Sequence, residues 1–165
     1  MVADFNDRAR TLIQGIVADH PGWERHVFPY GPADDPQADV GSVRFWIPAP
    51  HEPEHHLEIA QRGNTIEVAY DCGSQGLRAE RQFIFSEGEM AEAVAEVRTF
   101  LKGLSEGEIV VVRERLGRLV QAIRRDGVEE LAWFRTAEEL ATGRLAGFIA
   151  IHTWRMPPGS GGGAA

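Results

Sequence analysis

Leu57-Glu58-Ile59-Ala60-Gln61-Arg62-Gly63-Asn64-Thr65-Ile66-Glu67-Val68-Ala69-Tyr70 is the stretch that decides the fold. Leu57 and Ile59 alternate with Glu58 and Ala60, and Ile66, Val68 and Tyr70 alternate with Glu67 and Ala69. A period of two sends one set of side chains to a core face and the other set to the opposite face of a strand. Arg62-Gly63-Asn64 supplies the turn between the runs. Two alternating runs joined by a short glycine-containing turn make an antiparallel hairpin.

The pattern extends outward on both sides. Val43, Phe45 and Ile47 alternate with Arg44 and Trp46, and Phe83 and Phe85 open a further run from Arg81. Consecutive strands of this kind read as a meander. Upstream, Phe5, Ala9, Leu12, Ile13, Ile16 and Val17 recur at helical spacing and predict an amphipathic helix over 4–19, stopped by Pro21-Gly22. Trp23 to Phe28 reads as a short strand, and 29–41, with three prolines and Asp34, Asp35 and Asp39, as an exposed loop. Downstream, Ser86 and Glu89 spell a capping box. It opens a helix whose stripe is Met90, Val94, Val97, Leu101 and Leu104, with Gly103 as its stop.

The β-branched run Ile109 to Val112 predicts a strand. Leu116, Leu119, Val120 and Ile123 share one helical arc, so 113–125 is predicted as a helix. Glu130 to Arg135 is a candidate strand, Thr136 and Glu139 suggest a second capping box, and 148–154 closes the sheet from an interior position. The expected architecture is α+β: a mostly antiparallel sheet of about five to seven strands with helices packed against it. Residues 1–156 form a single domain, and 157–165 are a Gly-rich tail with no core-forming residue, expected to be disordered.

Composition narrows the function. The chain has 165 residues, one cysteine and a net charge of −8. A lone Cys72 excludes an intrachain disulfide or a multi-cysteine metal site and fits a reducing, cytoplasmic setting. No apolar run approaches the ~20 residues of a membrane span, and the N-terminus lacks the pattern of a secretory signal. Residues 1–76 hold five arginines against twelve acids. That bias disfavours nucleic-acid binding, which requires neutralising phosphates, and suits a basic protein partner.

His51-Glu52-Pro53-Glu54-His55-His56 contains H-E-x-x-H, which in zinc peptidases places two histidines and a general base on one helical face. Pro53 between the histidines, after Pro48 and Pro50, is incompatible with that helix. The stretch reads as a loop, and alternation sends His55 with Leu57 to one face and His56 to the other. A metal-dependent enzyme built on His51, His55 and His56, with His152 as a distant ligand, is the alternative to a binding role. Asp71 beside Cys72 disfavours the thiolate that a nucleophile needs. Gly73-Ser74-Gln75-Gly76 lacks the first glycine of a nucleophile elbow and lies between strands. Arg113, Arg115, Arg118, Arg124 and Arg125 on the predicted helix offer an acidic partner or phosphate a second alternative. Trp46, facing away from Val43, Phe45 and Ile47, has the character of a protein-binding hot spot, and a helix covering that face would explain it equally well.

The strand pair around Arg62-Gly63-Asn64 and 65–70, the capped helix after 83–86, and the terminal strand ending Ile151-His152-Thr153-Trp154 resemble small bacterial immunity proteins of polymorphic toxin systems, over residues 40–155. The resemblance implies an acidic, cytoplasmic, non-enzymatic protein that binds and blocks a cognate toxin; separately, no cofactor and no metal are expected. It carries over no site residue. The candidate partner-binding set, chosen from the residues themselves, is Asp34, Asp35, Asp39, Trp46, Glu52 and Glu54.

Overall fold

The computed structural model describes residues 4–49, 55–71, 78–114, 120–124 and 149–152. Helix α1 (Asp7–Asp19) is followed by a 3-10 helix (Pro21–His26) and strands β1 (Val27–Tyr30), β2 (Ser42–Pro48), β3 (His56–Arg62), β4 (Thr65–Asp71) and β5 (Arg78–Ile84). Helix α2 (Met90–Glu106) then leads to β6 (Ile109–Glu114), β7 (Val120–Arg124) and β8 (Ile149–His152). The first five strands form an antiparallel sheet in the order β1-β2-β3-β4-β5. The fold is the α+β arrangement that the alternation predicts, and this sheet has five strands.

The hairpin β3–β4 is registered Arg62 opposite Thr65 and Leu57 opposite Tyr70. Gly63, at φ 50°, takes the left-handed position in its two-residue turn. This register turns Leu57, Ile59, Ile66, Val68 and Tyr70 toward one side, together with Val43, Phe45 and Ile47 of β2. Leu12 and Ile16 of α1 and Val97 and Leu101 of α2 pack onto that side, all at most 1% exposed. Fully burying such a side chain contributes about 1.5–3 kcal/mol, so this layer dominates the stability of the sheet. The two helices approach closely at Gly15, where a Cβ would run into Val94. Arg98 of α2 grips Asp19 of α1 through two bonds of 2.7 and 2.8 Å.

Local reasons explain where the elements begin and end. The Asn6 side chain accepts from the Ala9 N–H at 2.9 Å and caps α1, which starts at Asp7. Trp23, expected in a strand, lies in the 3-10 helix: its N–H bonds the His20 carbonyl at 2.9 Å and its ring stacks on His20. Pro21 at the first position presets that turn. Pro29 sits in β1, an edge strand, where a missing donor is tolerated.

Only half of the Ser86–Glu89 capping box forms. The Ser86 N–H donates to the Glu89 carboxylate at 2.9 Å, but Gly88, at φ 91°, turns the chain, and α2 starts at Met90. The stop of α2 is Gly107, not Gly103. Gly107 is left-handed at φ 75°, and the N–H groups of Glu108 and Gly107 close onto the carbonyls of Gly103 and Leu104. Gly103 instead lets Ile109 approach, since a Cβ there would stand 2.7 Å from Ile109 Cδ1.

The helix predicted over 113–125 is overturned at its described residues. Arg113 belongs to β6 and Val120 to Arg124 form β7, paired antiparallel with Ile109 opposite Arg124. β6 is the centre of a second, three-stranded sheet in the order β7-β6-β8. Among the described residues β8 pairs with β6 alone, so it holds a flanking position rather than the expected interior one. Arg113 and Arg124 therefore lie on strands rather than on one helical face, and Arg115, Arg118 and Arg125 lie outside the described residues. The candidate elements at 130–139 and the tail 157–165 lie outside the described residues.

Candidate functional site

Both helices pack on one side of the five-stranded sheet, and the alternate residues of β1 to β4 build the other side. Tyr30, Arg44, Trp46, His56, Glu58, Ala60, Arg62 and Glu67 share this outer face by register. Its centre is closed: Ala60 and Ala69 are at most 1% exposed, and Glu58 and Glu67 are also buried. Small residues at 60 and 69 leave room for long side chains to lie across the strands. The Arg44 guanidinium sits 5.2 Å from the Tyr30 ring centroid and 5.7 Å from that of Trp46, within the range of cation–π attraction.

Trp46 lies at the border of this layer. His56 of the neighbouring strand stacks on its ring, with centroids 3.5 Å apart and planes 23° from parallel. Even so, 40% of Trp46 remains exposed. Phe28, opposite Arg44 in the β1–β2 ladder, is 45% exposed. Two aromatic side chains on either side of one arginine thus face solvent on the side opposite the helices.

The acidic loop 31–41 is fastened to the same face. Asp35 Oδ2 accepts from the Tyr30 hydroxyl and from Arg62 Nη1, each at 2.9 Å, and Asp35 Oδ1 accepts from the Gln37 N–H at 2.8 Å. The Gln37 bond first, then Tyr30 and Arg62, hold the Asp35 carboxyl below its ordinary value. Burial, reinforced by the bond to Asp35, pushes the Tyr30 phenol up. Arg62 also reaches Glu67 Oε1 at 2.8 Å. One guanidinium therefore ties the loop to β3 and β4. Ala38 completes the closure against Tyr30 and Ala60.

The candidate residues fall into different roles. Asp35 is an internal anchor with its side chain 16% exposed. Asp39 faces Arg8 at 3.6 Å. Asp34 is exposed and accepts the Gly31 N–H at 3.2 Å. Trp46 stands on the exposed border as described, and Glu52 and Glu54 lie outside the described residues. Arg44, Arg62 and Phe28 share this face and were missed by the sequence reading, which considered His56 only as a ligand in the metal alternative or as part of a partner-facing loop. Arg62 and Glu67 were within reach: a two-residue turn puts them diagonally across the hairpin on one face.

The two described histidines of the 51–56 stretch diverge. His55 is buried and shares a 3.1 Å hydrogen bond between its Nδ1 and the Tyr70 hydroxyl, while His56 lies on Trp46 across the sheet. Among the described residues, no three His, Cys, Asp or Glu side chains converge as a metal site. No helix among them is long and apolar enough to cross a membrane. Comparison with protein-family models, curated protein sequences and solved structures finds no match for this chain.

Proposed function

We propose that this chain is a protein-binding domain that docks a partner on the outer face of its five-stranded sheet, with Trp46 as the anchor. The observation that carries the reading is the state of Trp46: 40% exposed, yet held flat by His56 on a face whose centre is already closed. An aromatic ring immobilised before binding loses little entropy on association, which favours its use as a hot spot. Arg44 and Phe28 extend the surface beside it. The acidic N-terminal half supports a basic partner.

Within that class we read the chain as a cytoplasmic immunity protein that binds and neutralises a cognate bacterial toxin. Supporting this are its acidity and the exposed, His56-stacked Trp46. The experiment is co-expression with the product of the neighbouring gene, followed by co-purification and a growth-rescue assay. A stable complex and rescued growth are expected, both weakened by Trp46→Ala. Absence of both complex and rescue overturns the toxin reading. A complex that tolerates Trp46→Ala without loss overturns the docking face.

A further inference from the structure

Next to the acidic loop, at the foot of α1, lies a groove of about 320 Å³. Phe5, Pro29, Pro32 and Val40 give it apolar walls, and Asp4 and Asp34 stand at its rim. Val40 is 81% exposed, an unusual position for an aliphatic side chain in a loop rich in acids. The groove is firmly built. The Asn6 N–H donates to the Gly41 carbonyl at 2.9 Å, and Asn6 Nδ2 donates to the Val40 carbonyl at 3.1 Å. Gly41, at φ 76°, packs so tightly that a Cβ would stand 2.7 Å from the Asp4 carbonyl oxygen.

The charged residues that line the groove are both acids, Asp4 and Asp34. Of the nearby acids, Asp35 is met by Arg62 and Asp39 by Arg8. Asp4 meets Arg10 only at 3.8 Å, with its side chain fully in solvent. Among the described residues Asp34 forms no ion pair, and one of its oxygens accepts the Gly31 N–H at 3.2 Å. An apolar slot with an exposed carboxylate at its mouth is complementary to a side chain that is apolar along its stem and cationic at its tip. Arginine fits best, because its planar guanidinium is weakly hydrated, lies on apolar and aromatic surface, and bonds carboxylates with two donors.

We propose that this groove binds an arginine side chain, flanked by aliphatic residues, presented by a protein partner. The assignment deepens the protein-binding reading and names the chemistry of the partner, but its test needs no complete partner. The probe is the capped tripeptide acetyl-Leu-Arg-Leu-amide, titrated into the full-length, isotope-labelled chain, with acetyl-Leu-Glu-Leu-amide and acetyl-Leu-norleucine-Leu-amide as comparisons. The arginine peptide should shift the amide resonances of Gly31, Val40 and Gly41 saturably, and the comparison peptides should not.

Asp34→Asn keeps the acceptor for the Gly31 N–H while removing the charge, so it should fold normally. It should weaken the arginine peptide by about three- to five-fold, the range of one exposed charge pair. About 0.5 M salt should weaken it similarly, because screening falls hardest on exposed charges. Val40→Ser should weaken it without changing the salt response. Equal shifts from the glutamate peptide, shifts scattered over other surfaces, or binding unaltered in both variants would overturn the proposal. A groove that fails this test leaves the Trp46 face untouched, and loss of the Trp46 face leaves the groove's peptide titration intact.

Discussion

Replacing Arg62 by alanine removes the one guanidinium that holds both Glu67 and Asp35. Glu67 is the decisive partner, because its side chain is only 6% exposed and lies 2.8 Å from Arg62 Nη2. Breaking a buried pair by deleting one member costs about 3–5 kcal/mol, chiefly from the charge left behind. Arg62 itself is 26% exposed, so water partly screens the site. Discounting for that screening gives a loss of about 2–3 kcal/mol. For a chain of this length each kcal/mol lowers the melting temperature by about 2–4 °C, so Arg62→Ala should melt roughly 5–10 °C lower. Urea denaturation followed by circular dichroism measures the free energy, and a thermal scan measures the shift. Arg62→Lys should fall between the two, since a single ammonium cannot reproduce the fork. The double replacement Arg62→Met with Glu67→Leu should recover part of the loss, because the buried Glu67 charge leaves with the guanidinium while Asp35 keeps its bonds to Tyr30 and Gln37. Amide resonances of 31–41 should also move in Arg62→Ala as Asp35 loses its tether. A loss below about 0.5 kcal/mol, or a double variant as unstable as the single one, would refute the reasoning.

Three more outcomes are expected. Gly41→Ala should cost about 2–4 kcal/mol in urea denaturation, since a left-handed residue and a 2.7 Å clash with the Asp4 carbonyl combine, whereas Gly88→Ala, at φ 91° in open space, should cost only about 1 kcal/mol. Stability should be complete above pH 6.5 and decline below it, because burial lowers His20 from that value, opposed by Asp19, and the unfolded chain takes up the proton first. His26, lowered by burial and by Arg25, acts in the same sense, and a His20→Asn variant with an unchanged slope between about pH 5 and 7 would show the assignment to be mistaken. A further loss should set in below pH 3.8, where Asp19, lowered by its Arg98 bond, and Asp35 begin to protonate preferentially in the unfolded chain. Trp46→Ala should lower partner affinity about 30-fold or more by surface plasmon resonance, while lost stacking on His56 lowers folding stability by only about 0.5–1.5 kcal/mol.

The alternation of 43–47, 57–60 and 66–70 determined the three central strands of the five-stranded sheet on its own. Period two is a property of each strand, and a one-residue shift would expose Leu57, Ile59, Ile66 and Val68 at once. The helical stripes of α1 and α2 were legible for the same reason, and so was the outward placement of Trp46. Residues 113–125 were not. Leu116, Leu119, Val120 and Ile123 satisfy a helical arc, but Val120 to Arg124 form a strand because β6 offers an open ladder. Local periodicity cannot weigh hydrogen bonds made to a distant partner. Gly103 shows the same limit at smaller scale: it reads as the stop of α2, but Gly107 caps the helix and Gly103 instead admits Ile109. Asp34, Asp35 and Asp39 look alike in sequence. The tertiary structure alone makes Asp35 an anchor through Arg62 and leaves Asp34 at a groove without an ion pair among the described residues, because a carboxylate's role depends on which cation the fold brings to it.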